Sequence, residues 1–560
     1  MKPIPPSQYD ANPSPSGFSI LVHSSFARCL ARIWEGINAI SRPLLPLLHI
    51  FMLAVILLIL GAVVFANQHT PCWYDEICMV DPAYHRATAG VWRSIAQWDS
   101  IDTIPFAPNY PLLINILRLL ISIFGVNFWI LRGSMLVFGL APVAALLWLF
   151  HRKGFLQSRA EVLHAVYYSA CCTFFHWALY LRPEPILLSV IALLVFFWAA
   201  DRPVLLFLAA LLVPLCGFQW NVILLPAVLH WLVFGGRIRN PFLVAVALVI
   251  SSAATIAAYH ALGMWPSYLQ EAARVGGLDA FHAATRKLHT ALSSWDFSCL
   301  FSVGLAPPSV VDGPLAMLAI SMPSLCFRGH SDCREKPLFV FLVFSIVACW
   351  MALALFGHML QSYTRPLLLP ICLLGPALMR RLFSRYPLLL LGLALCILWF
   401  PGVHWQQVKN GHGPWRTFPD DTFWVDEAFM ERWIPDFFQP SDVVCCDNSA
   451  YFALRRTGRE LYRLRYALNM DEASCRRVSY VLMSEKPPYE PGTDFSKYPG
   501  PAPRLPDREF ESPGELLCAI SGKWNCTFIE VPLPVSPMPD AIRFRLFRPV
   551  FPADSIQDGS

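Results

Sequence analysis

Two adjacent carboxylates, Asp75 and Glu76, are the residues whose type and spacing best suit chemistry. They lie in the run P-C-W-Y-D-E-I-C, nine residues beyond an apolar stretch that closes at Ala66. Where such a pair is partly removed from water, one carboxylate can stay ionised and accept a proton. Its neighbour can then bind a metal ion or orient a substrate. The alternative is that both are hydrated acidic side chains of an ordinary loop.

Further polar side chains follow in the same segment. Asp81 and His85 are placed to support the pair, and together with other acidic residues they offer ligands to a divalent metal ion. A single histidine in a hydrated loop usually binds nothing, which is the competing interpretation. The sequence therefore requires no cofactor and leaves a divalent cation open as one alternative.

Arginines stand where apolar stretches end. Arg182 lies in Y-L-R-P-E-P beside Glu184, and Arg365 lies in Q-S-Y-T-R-P just after Tyr363. An arginine at a membrane boundary is unfavourable unless it reaches water or meets an anion, and a lipid phosphate is such an anion. Snorkelling or structural pairing remains an alternative for each. Arg132 is expected to order the neighbouring loop in preference to binding a phosphate.

The composition of the chain indicates that lipid is its main solvent. Of the 560 residues, 56% are hydrophobic and only 14% are charged, whereas soluble domains carry about a quarter charged residues. The formal charge of +5 is too small to indicate a nucleic-acid partner. The 17 cysteines follow no zinc-binding spacing, so most are expected to be small apolar core residues. A polytopic α-helical membrane protein is predicted.

Apolar stretches recur along residues 44–400 and predict about eleven transmembrane helices. Several are shorter than the roughly 20 residues that a span needs, so flanking residues must complete them. The stretches are residues 44–66, 128–150, 162–181, 186–200, 204–218, 222–234, 242–262, 314–327, 337–356, 366–379 and 388–400.

The lysines and arginines of the short loops predict the orientation. Their clusters all fall on the cytoplasmic side if the first span runs outward and residues 110–125 lie at the interface without crossing. The N-terminal segment 1–43 is then cytoplasmic, and the loops 67–127 and 263–312 are outside. The clusters are residues 28–42, 152–159, 237–239, 328–336 and 380–385.

Residues 401–560 differ from the rest of the chain, being rich in Pro, Asp, Glu and Arg and free of long apolar runs. Short alternating segments predict strands, and residues 451–464 predict a helix. A C-terminal extracytoplasmic α/β domain is therefore expected. The predicted strands are residues 442–446, 478–483, 527–531 and 542–547.

The order of motifs in the first outer loop resembles the lipid-dependent GT-C glycosyltransferases of the protein mannosyltransferase and aminoarabinose transferase type. In that family an Asp-Glu pair opens the loop, and a Pro-rich interfacial helix ending in Phe-Gly leads to a span that begins near an Arg. The matching positions are Asp75–Glu76, residues 108–125 and Arg132, within a likeness over residues 45–400. The family often has P-P-L-Y where this chain has P-N-Y-P, which leaves the acceptor open.

The resemblance implies inverting transfer of a sugar from a polyprenyl-phosphate-linked donor to an acceptor glycan, lipid or protein on the outer face of the membrane. It implies Asp75 as the general base with Glu76 beside it, and Arg182 and Arg365 on the donor phosphate. It also implies a multi-pass protein, of a bacterial inner membrane in preference to the endoplasmic reticulum. A transporter or lipid flippase without transferase activity is the alternative, although such proteins usually place ionisable residues within their spans.

Overall fold

The computed structural model describes ten continuous parts of the chain and a few isolated positions between them. The predicted spans from residue 314 to 400 lie outside the described residues, as do Tyr363 and Arg365. The described ranges are 46–47, 49–58, 74–94, 107–152, 181–224, 238–269, 426–447, 450–485, 513–537 and 543–552.

Three apolar helices match predicted spans. Helix α1, His49–Leu58, lies within the first predicted span, while α4, Phe128–Arg152, and α7, Arg239–Ala261, match the second and seventh. Among the described residues, α4 and α7 are the two helices long and apolar enough to cross a bilayer. Their outward side chains are apolar, which suits contact with lipid better than with water. Exposed examples are Val137, Leu140, Trp148, Phe242, Val249 and Ile250.

Two shorter apolar helices pack between them. Helix α5, Glu184–Ala199, contacts α4, and α6, Pro203–Leu211, contacts both α5 and α7. The predicted stretch 204–218 is therefore helical at its start but not throughout. After Leu211 the backbone tightens into 3₁₀ turns, because Pro214 has no N–H to continue the helix and Gly217 takes a positive φ of 129°.

Two contacts at the ends of the helices join residues that the predicted orientation assigns to the same side of the membrane. At one end, Asp201 after α5 pairs with Arg239 at the start of α7, with 2.8 Å between Nη2 and Oδ1. At the other end, the Tyr259 hydroxyl near the end of α7 donates to the carbonyl of Pro108. Residues assigned to the same side of the membrane therefore lie together. Which end faces outward stays a prediction.

Between Pro108 and α4, residues Pro111–Phe124 form α3, inside the stretch 110–125 for which an interfacial helix is predicted. Gly125 ends α3 with a φ of +68°, a conformation that glycine adopts at little cost. One face of α3 is buried, whereas Leu119 and Ile123 are exposed on another. An amphipathic helix of this kind suits a membrane interface, and its depth in the bilayer stays a prediction.

The orientation can be tested by labelling single cysteines after the native reactive thiols have been replaced. We expect a cysteine at Ser158, in the loop 152–159, to react only with reagents that reach the cytoplasm. A cysteine at the exposed Glu472 of the C-terminal domain should react from outside and serves as the control. Labelling of position 158 from outside would overturn the whole orientation.

The C-terminal region forms the predicted α/β domain around a five-stranded sheet. Strands β1 to β5 lie in the order β2-β1-β3-β5-β4. Strands β1, β2 and β3 are parallel, whereas β5 is antiparallel to both β3 and β4. The strands are Val443–Cys446, Glu460–Arg463, Tyr480–Ser484, Thr527–Val531 and Phe544–Val550, and the helices α8 to α11 are Glu427–Phe437, Tyr451–Arg456, Glu472–Arg477 and Pro513–Trp524.

The prediction of one helix over residues 451–464 was wrong in its second half. Helix α9 ends at Arg456, and Gly458 has a φ of +78°, which turns the chain into strand β2. The alternating pattern that predicts a strand is absent from β2, because Leu461, Tyr462 and Arg463 are all buried and do not alternate between core and solvent. The other four strands lie close to their predicted positions.

Candidate active site

The segment that carries the acidic pair is helical. Helix α2 spans Tyr74–Thr88, so Asp75 occupies its first turn. The sequence analysis treated this segment only as a loop. A signal was present, since the buried Ile77, Val80 and Ala83 recur every three residues, as they do on one side of a helix.

Glu76 anchors the start of α2 to the membrane helices. Its carboxylate accepts two hydrogen bonds from Arg132 of α4, at 2.8 Å from Nε and 2.6 Å from Nη2. It also accepts a hydrogen bond of 2.9 Å from the backbone N–H of Leu181. Both charged side chains are fully buried. Such a bidentate pair fixes both partners, and it joins α2 to the residue that precedes Arg182.

Asp81 is held by the C-terminal domain. Its Oδ1 accepts a hydrogen bond of 2.5 Å from Arg455 Nη2 and one of 2.9 Å from the Tyr451 hydroxyl. The guanidinium of Arg455 also lies over the ring of Tyr84, with 4.7 Å to the ring centroid. Tyr451 and Arg455 were not predicted as site residues, because no local pattern links positions about 370 residues apart.

Helix geometry sets the direction of position 75 relative to these two positions around the axis of α2. A helix turns by about 100° per residue, which places positions 76 and 81 roughly 140° apart around α2. Position 75 then lies about 100° from one and about 120° from the other. The membrane helices hold the side of Glu76, and the C-terminal domain holds the side of Asp81. The backbone of residue 75, in the first turn of α2, therefore lies in a third direction around the helix axis.

The predicted metal ligands are arranged differently from a metal site. His85 Nε2 lies 3.6 Å from Asp81 Oδ2, one helical turn along α2. The carboxylate of Asp81 already faces the guanidinium of Arg455, which would repel a divalent cation. Among the described residues, no group of three or more His, Cys, Asp or Glu side chains is placed to hold a metal ion. Asp81 and His85 do not fit a divalent cation in this arrangement.

The environment of His85 makes its protonation unfavourable. Burial is the largest cause and lowers its pKa from 6.5 to about 4, although Asp81 and Glu460 oppose this shift. Arg455 and Arg93 lower the pKa further. Between pH 6.5 and 4 the unfolded chain therefore binds more protons at this histidine than the folded chain does. The stability that comes from neutral His85 is complete above pH 6.5 and is lost as the pH falls towards 4.

This shift predicts a measurable pH dependence of stability. The melting temperature of the purified chain should fall between pH 6.5 and 4, and His85→Gln should make that fall shallower. One proton changes the unfolding free energy by at most about 1.4 kcal/mol per pH unit. Thermal unfolding of both proteins across this range measures the difference. An equally steep fall in His85→Gln would show that other groups cause it.

Of the two arginines that are predicted to bind phosphate, only Arg182 lies among the described residues. Arg182 is buried, and its Nη2 lies 3.0 Å from Glu184 Oε1 at the start of α5. Because Leu181 binds Glu76, this arginine follows directly after the anchor of α2. Arg365 and Tyr363 lie outside the described residues, so their predicted positions are untested.

Comparison with known proteins identifies the fold. No protein-family model and no curated protein matches this chain. The crystal structure of ArnT from Cupriavidus metallidurans bound to undecaprenyl phosphate is similar, with a TM-score of 0.50 over 78% of this chain and 92% of that chain, at 12% identity. The same protein in the apo state has equal coverage and a TM-score of 0.36, too low to support an argument. At this identity the likeness shows the fold alone, and the chain therefore has a fold similar to that of ArnT.

Proposed function

We propose that this protein is a membrane glycosyltransferase that moves a sugar from a polyprenyl-phosphate-linked donor to an acceptor on the outer face of the membrane. The observation that carries the proposal is the placement of α2. Its first turn holds Asp75, while the neighbouring carboxylates Glu76 and Asp81 are each bound by a buried arginine. The similar ArnT structure contains undecaprenyl phosphate, which supports a donor of this lipid class.

In the proposed mechanism, the carboxylate of Asp75 is the general base. It takes the proton of an acceptor hydroxyl, whose oxygen attacks the anomeric carbon of the donor sugar from the side opposite the phosphate. The bond between that carbon and the phosphate oxygen breaks, and its electron pair leaves with the polyprenyl phosphate. A single displacement of this kind inverts the configuration of the sugar.

The departing phosphate gains negative charge, which cationic groups stabilise. We assign this role to Arg182 and Arg365. The carboxylate of Glu184 fixes the guanidinium of Arg182, whose Nε lies 3.1 Å from both of its oxygens. Glu184 is therefore proposed to orient this arginine towards the donor. Arg132 is proposed to act differently, by holding Glu76 and hence the start of α2.

Replacing Arg182 or Arg365 with glutamine should weaken apparent donor affinity by about ten- to a hundredfold, since a charge-assisted contact contributes about 1.5–3 kcal/mol. Arg239→Gln, at the far end of the helices, is the control and should leave affinity unchanged. Arg182→Gln also leaves Glu184 buried without this partner. The double variant Arg182→Gln/Glu184→Gln therefore separates loss of affinity from loss of folded protein. Normal donor affinity in both single variants would place the phosphate elsewhere.

The proposal extends to cellular location. The protein would be a multi-pass protein of a bacterial inner membrane, with residues 1–43 in the cytoplasm and the C-terminal domain outside. This orientation puts α2 on the face where lipid-linked sugars are used by enzymes of this fold. The identity of the sugar is left to experiment.

Mass spectrometry of outer-face lipids and glycans from a strain lacking the protein tests the proposed function. We expect one sugar modification to disappear and a polyprenyl-phosphate-linked sugar to accumulate. The wild-type gene should reverse both changes. An unchanged set of glycans and lipids would contradict the proposal. A flippase is the second candidate. Loss of a flippase would instead leave the lipid-linked donor on the cytoplasmic face.

A further inference from the structure

The C-terminal domain contacts the membrane domain at several points, at the end that is predicted to face outward. Besides the bonds to Asp81, Arg456 Nε donates to the carbonyl of Val126 at 3.0 Å, between α3 and α4. Glu460 accepts a hydrogen bond of 3.1 Å from Arg93 Nη2, beyond the end of α2. The domain therefore contacts α2, the residues that follow it and the turn between α3 and α4.

Apolar packing joins the same elements. Ile77, Val80 and Ala83 of α2 share one hydrophobic core with Tyr451 and Phe452 of α9. All five side chains are almost fully buried. Because this core spans two parts of the chain, moving α2 relative to the domain would expose apolar surface to water. The contact is therefore a packed interface, in which apolar side chains accompany the ion pairs.

The ion pair within this interface resists rearrangement. Asp81 and Arg455 are both buried, and separating them would leave a charge without its partner in a poorly solvated place. The Tyr451 hydroxyl adds a neutral donor to the same carboxylate. Burial and the nearby charge of Asp81 raise the pKa of Tyr451 well above 10, so it stays protonated and able to donate.

Hydrogen bonds within the C-terminal domain occupy the carboxyl end of β1. In open α/β sheets, ligands often bind at this edge. Here the carboxylate of Asp447 accepts hydrogen bonds from the backbone N–H groups of Ser484 and Ala450, at 2.6 and 3.3 Å. Helix α9, which contacts Asp81, begins directly after this turn. The hydrogen bonds of Asp447 therefore fix the turn from which α9 begins, and α9 contacts α2.

We propose that Tyr451 and Arg455 are positioning residues, through which the C-terminal domain holds Asp81 and thereby sets the place of Asp75 at the start of α2. The inference rests on the proposed function and adds a role for the C-terminal domain. Asp75 precedes Asp81 by six residues, which is about 9 Å along a helix. A displacement of α2 at Asp81 would therefore carry the candidate base with it. A misplacement of about 1 Å in a reacting group can cost about 10²-fold in rate.

The test compares full-length Arg455→Gln and Tyr451→Phe with Arg545→Gln, whose partner Glu530 lies within the C-terminal domain. The assay uses polyprenyl-phosphate-linked sugars extracted from cells that lack the protein. We expect kcat to fall by about 10- to 100-fold in Arg455→Gln and by about threefold in Tyr451→Phe, with donor KM nearly unchanged. Arg545→Gln should retain the wild-type kcat. A wild-type kcat in Arg455→Gln would overturn the inference.

The double variant Asp81→Asn/Arg455→Gln separates positioning from folding. It leaves no unpaired charge, so its melting temperature should recover towards that of the wild type, while kcat should stay at least about tenfold low. Full recovery of kcat would show a merely structural contact and overturn the inference.

Hydrogen–deuterium exchange of α2 gives a readout that needs no activity. It should be faster in Arg455→Gln than in the wild type, with α7 unchanged, and an unchanged α2 would also overturn the inference. If the wild-type chain transfers no sugar, the proposed function fails, while the exchange result still reports on the interface.

Discussion

Asp75→Asn is expected to lower the turnover number by about 10²-fold or more while the protein remains inserted and folded. Asparagine keeps the size of the side chain and much of its hydrogen bonding, but it cannot accept a proton as a carboxylate does. General-base catalysis contributes about 10²–10⁴-fold to enzymatic rates. Steady-state kinetics of the purified variant, with donor affinity measured separately, gives the effect on turnover.

A matched variant controls for the loss of one negative charge. Asp201→Asn, at the opposite end of the membrane helices, should retain wild-type turnover because Asp201 pairs with Arg239 at an exposed site. Near-normal turnover in Asp75→Asn would sink the assignment of the base. Asp81, the next carboxylate along α2, would then need testing in spite of its pairing with Arg455.

Glu76→Gln is expected to reduce the stability of the protein strongly. The substitution removes the charge that faces the buried guanidinium of Arg132. Breaking one partner of a buried pair typically costs about 3–5 kcal/mol. Membrane insertion, yield and thermal unfolding of the purified variant should all report the loss. Activity should fall with them, because the anchor of α2 is weakened.

The double variant Glu76→Gln/Arg132→Gln distinguishes anchoring from direct chemistry. Removing both charges should recover part of the lost stability, since neither is then buried without its partner. A Glu76→Gln protein with a wild-type melting temperature and no turnover would contradict the anchoring role of Glu76. Glu76 would then act on the substrate directly.

Local patterns were sufficient to predict much of the fold. The long apolar stretches around α4 and α7, the amphipathic α3 and four strands of the C-terminal sheet all have signals within a few residues of one another. Periodicity and turn residues report such elements because burial repeats along each of them. Strand β2 was missed because its residues are buried on successive positions.

The candidate site was predictable only in its residue types. Asp75, Glu76 and Arg182 were singled out from their places beside apolar stretches, and Glu184 was noted beside Arg182, but the pairing of Glu76 with Arg132 was not predicted. Glu76 binds Arg132 and Leu181, which lie 56 and 105 residues away. Such contacts depend on how helices pack, and no local pattern records it. The docking of Arg455 on Asp81 is a still longer-range case.

The most direct test of the proposed function follows the donor and the acceptor together. Purified protein is mixed with a cell-envelope extract from a strain that lacks it, and the products are identified by mass spectrometry. A transferase should consume one polyprenyl-phosphate-linked sugar, release an equal amount of free polyprenyl phosphate, and add the mass of that sugar to one acceptor. Asp75→Asn should do so at least about 100 times more slowly. An extract in which the lipid-linked sugar remains intact after incubation with the wild-type protein would contradict the account.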